Sequence, residues 1–174
     1  RDKMGPSPVF AKDPMVGNTQ LFIGLCIRLD MLARMGAYGK LYEDLLAICE
    51  PQLREGPGTI WENTAIDTSS RCHGFTAHFG VHLMRDVLGL GFTLFDADGE
   101  GEPVLDIEPH ICGLRWARGT RETPEGIVSV DWRYDGESFS LRVTAPKAYE
   151  CRVVLPKEVK MLDESRVSVI VKQY

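Results

Sequence analysis

The sequence predicts an α+β protein in which N-terminal helices are followed by an antiparallel β-sandwich. The spacing of the apolar residues is helical as far as Leu90 and changes to a period of two after Gly91. The later segments also follow one another without a helix between them, which is typical of a sandwich. We therefore predict a helical domain at residues 1–90 and a β-sandwich domain at residues 91–174.

Composition limits the possible partners. With 174 residues, of which 44% are hydrophobic and 26% charged, the chain can bury a sizeable core. A net charge of −5 without a basic run argues against nucleic acid as a partner. No apolar run approaches the ~20 residues of a membrane-spanning helix. The five widely spaced cysteines favour reduced, mostly buried thiols over disulfides or structural zinc.

Three helices are predicted after an extended, proline-containing stretch at Arg1–Val16. The first, Gln20–Met35, is apolar around nearly its whole circumference, which predicts burial among other helices. The second runs from about Tyr38 to Arg54, and the third from Gly74 or Phe75 to Leu88. Three such helices are too few to cover one another, so we expect an exposed face on Leu21–Met35 to drive self-association. The second helix has an apolar face of Leu41, Leu45, Ile48 and Cys49, with Glu43, Asp44 and Glu50 off it.

Seven segments with period-two alternation are predicted to be strands. Asp135-Gly136 between two of them predicts a β-hairpin, because this residue pair is typical of hairpin turns. The predicted strands are Phe92–Phe95, Val104–Ile107, Leu114–Thr120, Ile127–Tyr134, Ser138–Thr144, Glu150–Leu155 and Arg166–Lys172.

A turn-rich stretch at residues 58–63, G-T-I-W-E-N, places an aromatic residue beside a carboxylate. The Trp61 ring could stack on a sugar, and Glu62 could accept hydroxyl hydrogen bonds or take a proton from water. His73, where the third helix begins, could bind the same ligand. The residues alone leave other roles open: Trp61 in the core, Glu62 paired with Arg71 or another base, and His73 bonded to backbone.

Two further patterns have metal-like spacing, but we predict no metal site and no cofactor. His78 and His82 lie four residues apart, with Asp86 four further on. The glutamate of an HExxH motif is missing, so a helix-surface pair with a His82–Asp86 contact is favoured. The acidic loop at residues 96–101 lacks the glycine placement of an EF-hand and is predicted to be solvated.

Three segments together resemble the C-terminal part of α-L-rhamnosidases of glycoside hydrolase family 78. Residues 58–62 resemble the family's T-T-(L/I/F)-W-E segment. Residues 70–73, S-R-C-H, running into the third helix, are similar to its S-L-N-H stretch, with Arg71 and Cys72 replacing Leu and Asn. Residues 106–132 resemble the start of its C-terminal β-sandwich. The resemblance covers about residues 15–158, and it rests on the order and spacing of the motifs.

This resemblance implies that the helices are the last ones of an (α/α)6 barrel. It also implies a parent enzyme that hydrolyses terminal α-L-rhamnosides with inversion, which requires a general acid and a general base. By motif position, Glu62 matches the general base, Trp61 a pocket-wall aromatic and His73 a ligand of a sugar hydroxyl. No segment matches the general acid, so this C-terminal fragment is expected to be inactive alone. The alternative is a non-catalytic carbohydrate-binding or structural sandwich with a helical cap.

Overall fold

The structure, a computed structural model, describes residues 21–56, 58–62, 70–93 and 103–174. Within these ranges helices come first and two sheets of mostly antiparallel strands follow, so the predicted α+β class is confirmed. The chain divides into two compact units, Arg1–His82 and Leu83–Tyr174. The domain division after residue 90 and the place of the helices in a barrel stay predictions. The predicted proline-containing loop and the acidic loop lie outside the described residues.

The first unit contains a helical hairpin. A π-helical turn, Leu21–Leu25, continues into helix α1 (Cys26–Arg34), and helix α2 (Tyr38–Glu55) follows. Gly36 makes the connection with a positive φ of 66°, a conformation that glycine adopts without a steric penalty. Helix α2 continues through Pro51 to Glu55.

A buried ion pair joins the two helices of the hairpin. Arg28 on α1 donates from Nε to Oδ2 of Asp44 on α2 at 2.7 Å, and Lys40 Nζ lies 2.8 Å from the other Asp44 oxygen. The Asp44 side chain is 1% exposed. The prediction that Asp44 lies off the buried face is therefore wrong, because a cation on the neighbouring helix compensates its burial.

The opposite side of the first helix is exposed. Leu25, Leu29 and Leu32 are buried in the hairpin. On its other side an apolar row with four-residue spacing faces outward, so the first helix has the exposed apolar face that the sequence predicted. Burial of this face among further helices stays a prediction. This row, which we call the outer stripe, consists of Ile23, Ile27, Met31 and Met35, each at least 43% exposed. None of the described helices is long and apolar enough to cross a membrane.

The third helical segment changes its hydrogen-bonding pattern along its length. It begins as a 3-10 turn at Gly74–Ala77, becomes helix α3 at His78–His82, and ends as a π-helical turn at Leu83–Leu88 in the second unit. His82 and Asp86 are 2% and 4% exposed, so their predicted surface position is wrong. His82 Nε2 lies 3.9 Å from Asp30, and Asp86 accepts from Arg85 at 2.8 Å.

The second unit is a sandwich of two sheets, and each of the seven predicted strands is found. The first sheet has the order β1-β2-β6 and the second has the order β3-β4-β5-β7. The strands are β1 (Leu90–Thr93), β2 (Val104–Ile107), β3 (Trp116–Thr123), β4 (Gly126–Tyr134), β5 (Phe139–Ala145), β6 (Glu150–Val153) and β7 (Val167–Gln173).

Alternate residues of both sheets form one core. Trp132 on β4 is fully buried and stacks on Phe139 of β5 with ring centroids 6.5 Å apart. Leu105 and Ile107 of β2 enter the same core from the other sheet. The turn Leu83–Leu88 packs on β3, where a Cβ at Gly119 would lie 2.6 Å from Leu88.

Two strand pairs are parallel, contrary to the predicted wholly antiparallel sandwich. Strand β6 pairs with β2, and β7 pairs with β5, both in parallel register. The chain crosses from the second sheet to the first after β5 and returns before β7, so each crossing strand joins its sheet in a parallel direction. Period-two alternation records which side chains face the core, but it does not record which strand is the neighbour. The predicted Asp135-Gly136 hairpin between β4 and β5 is confirmed.

The junction between the π-helical turn and β1 depends on Gly89. Its φ is +84°, and an added Cβ would lie 2.3 Å from the carbonyl carbon of Glu108 and from the nitrogen of Pro109. Its carbonyl accepts from the Glu108 N–H at 2.8 Å. Two backbones therefore approach at a point where no side chain can fit.

We expect Gly89→Ala to lower the free energy of unfolding by clearly more than Gly113→Ala. Gly113 has a similar φ of +76° with open space around its Cβ position, so its replacement measures the left-handed strain alone, about 1–2 kcal/mol. Replacement of Gly89 adds the clash with residues 108–109. Urea denaturation followed by tryptophan fluorescence measures both values. Equal losses for the two variants would contradict the close-approach argument.

Candidate functional site

The candidate site is built from two backbone segments that run side by side, residues 59–62 and 70–73. The Glu62 N–H donates to the Ser70 carbonyl at 2.9 Å, and the His73 N–H donates to the Ile60 carbonyl at 3.1 Å. The Thr59 hydroxyl also donates to the Arg71 carbonyl. These bonds bring together the Trp-Glu stretch and the S-R-C-H stretch, which the sequence predicted to act in one site.

The Glu62 carboxylate has a defined orientation. Its Oε2 accepts from the Ser70 N–H at 3.2 Å, so the same two residues exchange a main-chain bond and a side-chain bond. The Glu62 side chain is half-buried, and so is that of His73. The His73 carbonyl accepts from the buried Thr76 hydroxyl at 2.5 Å, which fixes the start of the third helical segment. The paired segments thus hold an oriented carboxylate on the same loop assembly as an imidazole.

Trp61 lies inside the first unit, where it is 2% exposed. Its backbone N–H donates to Oε1 of Gln52 on α2 at 2.9 Å. Its ring lies against Gly56, where an added Cβ would come within 2.5 Å of the indole. The Trp61-Glu62 pair is therefore attached to the end of α2 by a buried side chain and by a glycine that leaves room for the ring.

Two buried hydrogen-bond donors beside this attachment have no acceptor among the residues that the structure describes. They are the indole Nε1–H of Trp61 and the side-chain Nε2 of Gln52. Buried polar groups in folded proteins are nearly always satisfied, and leaving one unpaired costs about 1–3 kcal/mol.

Gln52 is the site residue that the sequence reasoning missed. It continues the α2 row of Leu41, Leu45 and Ile48, on the face predicted to be apolar, and it is 1% exposed. A polar side chain on an apolar stripe was the signal that could have identified it, since such a residue needs a partner within the protein.

The described residues contain no group of three or more His, Cys, Asp or Glu side chains arranged to hold a metal ion. All five cysteines are free. Burial raises the pKa of the Cys49 thiol to about 11, and burial together with Glu158 and Asp86 raises that of Cys112 to about 12. Both groups are therefore protonated thiols at neutral pH and poor nucleophiles.

The fold is a helical unit followed by a two-sheet sandwich, and residues 104–168 of the sandwich match the family described as the bacterial alpha-L-rhamnosidase C-terminal domain. A solved structure, the crystal structure of a GH78 family rhamnosidase of Bacillus sp. GL1 at 1.9 Å, has the same fold with a TM-score of 0.75. A comparison with curated proteins finds no match.

The two findings confirm the predicted resemblance: the chain is similar to part of an α-L-rhamnosidase-like protein of glycoside hydrolase family 78. The similarity to the Bacillus enzyme covers 94% of this chain at 24% sequence identity. This chain spans 17% of the length of that enzyme. The roles predicted for Trp61, Glu62 and His73 stay predictions, although all three residues lie on the paired segments.

We expect Gln52→Ala to loosen the candidate site. The substitution leaves the buried Trp61 N–H without its acceptor, which costs about 1–3 kcal/mol. Hydrogen exchange at the Trp61 and Glu62 amides should accelerate accordingly. The control is Glu50→Ala on the same helix, which removes an exposed pair with Arg54 and should cost less than ~1 kcal/mol. If both variants exchange equally fast at Trp61, the Gln52 bond does not hold the loop.

Proposed function

We propose that this chain is the C-terminal part of an inverting α-L-rhamnosidase-like glycoside hydrolase that cleaves terminal α-L-rhamnose from glycosides. The observation that carries the proposal is the half-buried, backbone-oriented carboxylate of Glu62 on the paired segments. The rhamnosidase C-terminal domain match at residues 104–168 supports the same class of parent enzyme.

In the proposed reaction Glu62 is the general base. Inversion proceeds by attack of a water on the face of the sugar opposite the leaving group, so the base must hold that water and take its proton. The bond from Ser70 N–H fixes one carboxylate oxygen. Fixing one oxygen limits rotation of the carboxylate, which supports a positioning role for the loop in activating water.

His73 is proposed to bind a sugar hydroxyl from the segment that runs beside Glu62. Trp61 is proposed as an aromatic wall of the pocket, as its motif position implies. Its 2% exposure favours a second contribution, in which the buried indole holds the loop that carries Glu62. The general acid is proposed to come from chain outside this sequence, since none of its segments matches that role.

We expect Glu62→Gln in the longer parent protein to reduce kcat on an aryl α-L-rhamnoside by about 10²–10⁴-fold, because a general base contributes about that much. Glutamine keeps the acceptor for the Ser70 N–H but takes no proton. Glu55→Gln, an exposed site at the end of α2, is the matched control and should leave turnover within a few fold.

The 174-residue chain alone should show no rhamnosidase turnover, since one carboxylate cannot supply both acid and base. Measurable turnover by the purified chain would contradict the fragment proposal. Turnover of Glu62→Gln within a few fold of the wild-type parent would remove Glu62 from the base role.

The exposed outer stripe is proposed to bring copies of this chain together. Its four apolar side chains lie on consecutive turns of one helix, and such a face is typical of helix–helix contacts. We expect sedimentation velocity to show that self-association of the wild-type chain increases with concentration. The double variant Ile27→Glu, Met31→Glu should abolish this association. Leu53→Glu, an equally exposed position on α2, is the control. A monomeric profile of the wild-type chain at high concentration would contradict this.

A second candidate function is carbohydrate binding without catalysis by the sandwich. The observation in its favour is that the family match lies wholly within the strand-containing unit. Sugar binding that survives Trp61→Ala would favour this candidate over a site on the helical loop.

A further inference from the structure

We propose that a cleft in the second unit binds one neutral sugar ring, at a site separate from Glu62. The cleft has a volume of about 340 Å³, within the range of small-molecule sites. It lies between Phe92 of β1, the end of β3 with the turn that follows it, and Ala148-Tyr149 before β6. This cleft would be the site of the carbohydrate binding proposed above for the sandwich, the second candidate function.

Two aromatic rings form the apolar part of the cleft. Phe92 and Tyr149 meet edge to face, with centroids 5.8 Å apart and an interplanar angle of 79°. Tyr149 is buried and Phe92 half-buried. The rest of the apolar lining comes from Pro103, Pro124 and Ala148. Rigid aromatic and proline surfaces suit the C–H faces of a sugar, and they lose little conformational entropy on binding.

Arg121 gives the cleft a directed hydrogen-bond donor. Its register opposite Val128 places it on the core-facing side of β3, at the end where the sandwich core stops. The guanidinium carbon lies 4.4 Å from the centroid of the Phe92 ring, a cation–π contact that holds the guanidinium over the ring. A planar guanidinium held in this way can donate to two neighbouring hydroxyls at once.

The charges around the cleft select a neutral ligand. Glu125, in the turn after β3, contributes one carboxylate, whereas Glu122 alternates to the outer face of the strand together with Arg118. One carboxylate balances the one cation of Arg121, so the lining offers no net positive charge to a phosphate or another anion. A polyhydroxylated ring can accept from the guanidinium and donate to the carboxylate, so it uses both signs of charge.

The last two residues of the sequence, Gln173 at the end of β7 and Tyr174 after it, hold the cleft in its shape. The Tyr174 hydroxyl accepts from the Ile127 N–H at 2.9 Å and donates to the Ile127 carbonyl at 3.0 Å, which anchors the strand after the turn. The Tyr174 carbonyl accepts from the Lys147 N–H at 2.9 Å, and Gln173 donates to the Tyr149 carbonyl at 2.6 Å. Two of the three sides of the cleft are thus tied to the end of β7, which reduces the ordering cost of binding.

A proline-rich peptide is the competing ligand, since such peptides also dock on aromatic rings. An extended peptide requires a groove that accommodates several consecutive residues. A compact cleft of 340 Å³, near the lower limit for small-molecule sites, favours a single ring.

The test is a ¹⁵N-HSQC titration of the 174-residue chain. The probes are methyl α-L-rhamnopyranoside, methyl α-D-glucopyranoside and methyl α-D-mannopyranoside, with a short proline-rich peptide as the fourth. We expect at least one sugar to give saturable shifts at the amides of Phe92, Thr123 and Ala148. Arg121→Ala should weaken that binding by about tenfold or more, as expected for loss of hydrogen bonds to a charged group.

Arg118→Ala is the matched control, because Arg118 is an exposed arginine of the same strand on the opposite face. It should leave the binding unchanged. Phe92→Leu, which keeps an apolar side chain but removes the ring under the Arg121 guanidinium, should also weaken binding. Absence of saturable shifts with every sugar, shifts with the peptide alone, or equal binding by the Arg121→Ala and wild-type chains would overturn the proposal.

A Trp61→Ala and Glu62→Gln double variant separates this site from the proposed catalytic one. Shifts at Phe92, Thr123 and Ala148 that persist in the double variant support the cleft, whatever the outcome for catalysis. Shifts that disappear in the double variant place the sugar at the Trp61-Glu62 loop and overturn the cleft.

Discussion

The Trp61 N–H has one protein acceptor, the side-chain oxygen of Gln52, and the position of the candidate site depends on that bond. A buried amide must find a partner, so the loop can close only where α2 presents the glutamine. Gly56 leaves the space that the indole fills after the helix ends. The paired segments then extend from this fixed point, and the direction of the Glu62 carboxylate follows from it. Packing at the end of one helix therefore determines the geometry available for chemistry.

The type of each element could be predicted where a local sequence pattern determines it. The change in period near Gly91 predicted helices followed by strands, and Asp135-Gly136 predicted the hairpin of β4 and β5. The directions of β6 and β7 could not be predicted, because side-chain alternation is identical in parallel and antiparallel strands. An exposed apolar face was predicted for the first helix, but the residues of the outer stripe could not be specified, because composition alone does not show which side of an apolar helix has neighbours.

The candidate site could be predicted only in part, because local patterns identify residue types but not the partners on other elements. Trp61, Glu62 and His73 were identified from residue types and motif order, and the structure places them on paired segments or beside them. Gln52 and Asp44 were missed, because both are polar residues buried on helix α2. Helical periodicity treats a polar residue as outward-facing, whereas Arg28 and the Trp61 N–H compensate the burial of these two. Such partners lie on other elements, so a one-dimensional pattern does not contain them.

The parallel pairing of β5 with β7 has a consequence for how the second unit forms. β3, β4 and β5 can assemble through local hairpin contacts, but β7 joins only after the chain has crossed to the other sheet and returned. Non-local parallel pairing is slow, because loop closure costs entropy before any contact is gained. Until β7 arrives, the open edge of β5 presents unpaired backbone groups that can pair with another chain. Nascent chains would be most prone to misassembly at that edge, during the interval between the synthesis of β5 and the docking of β7.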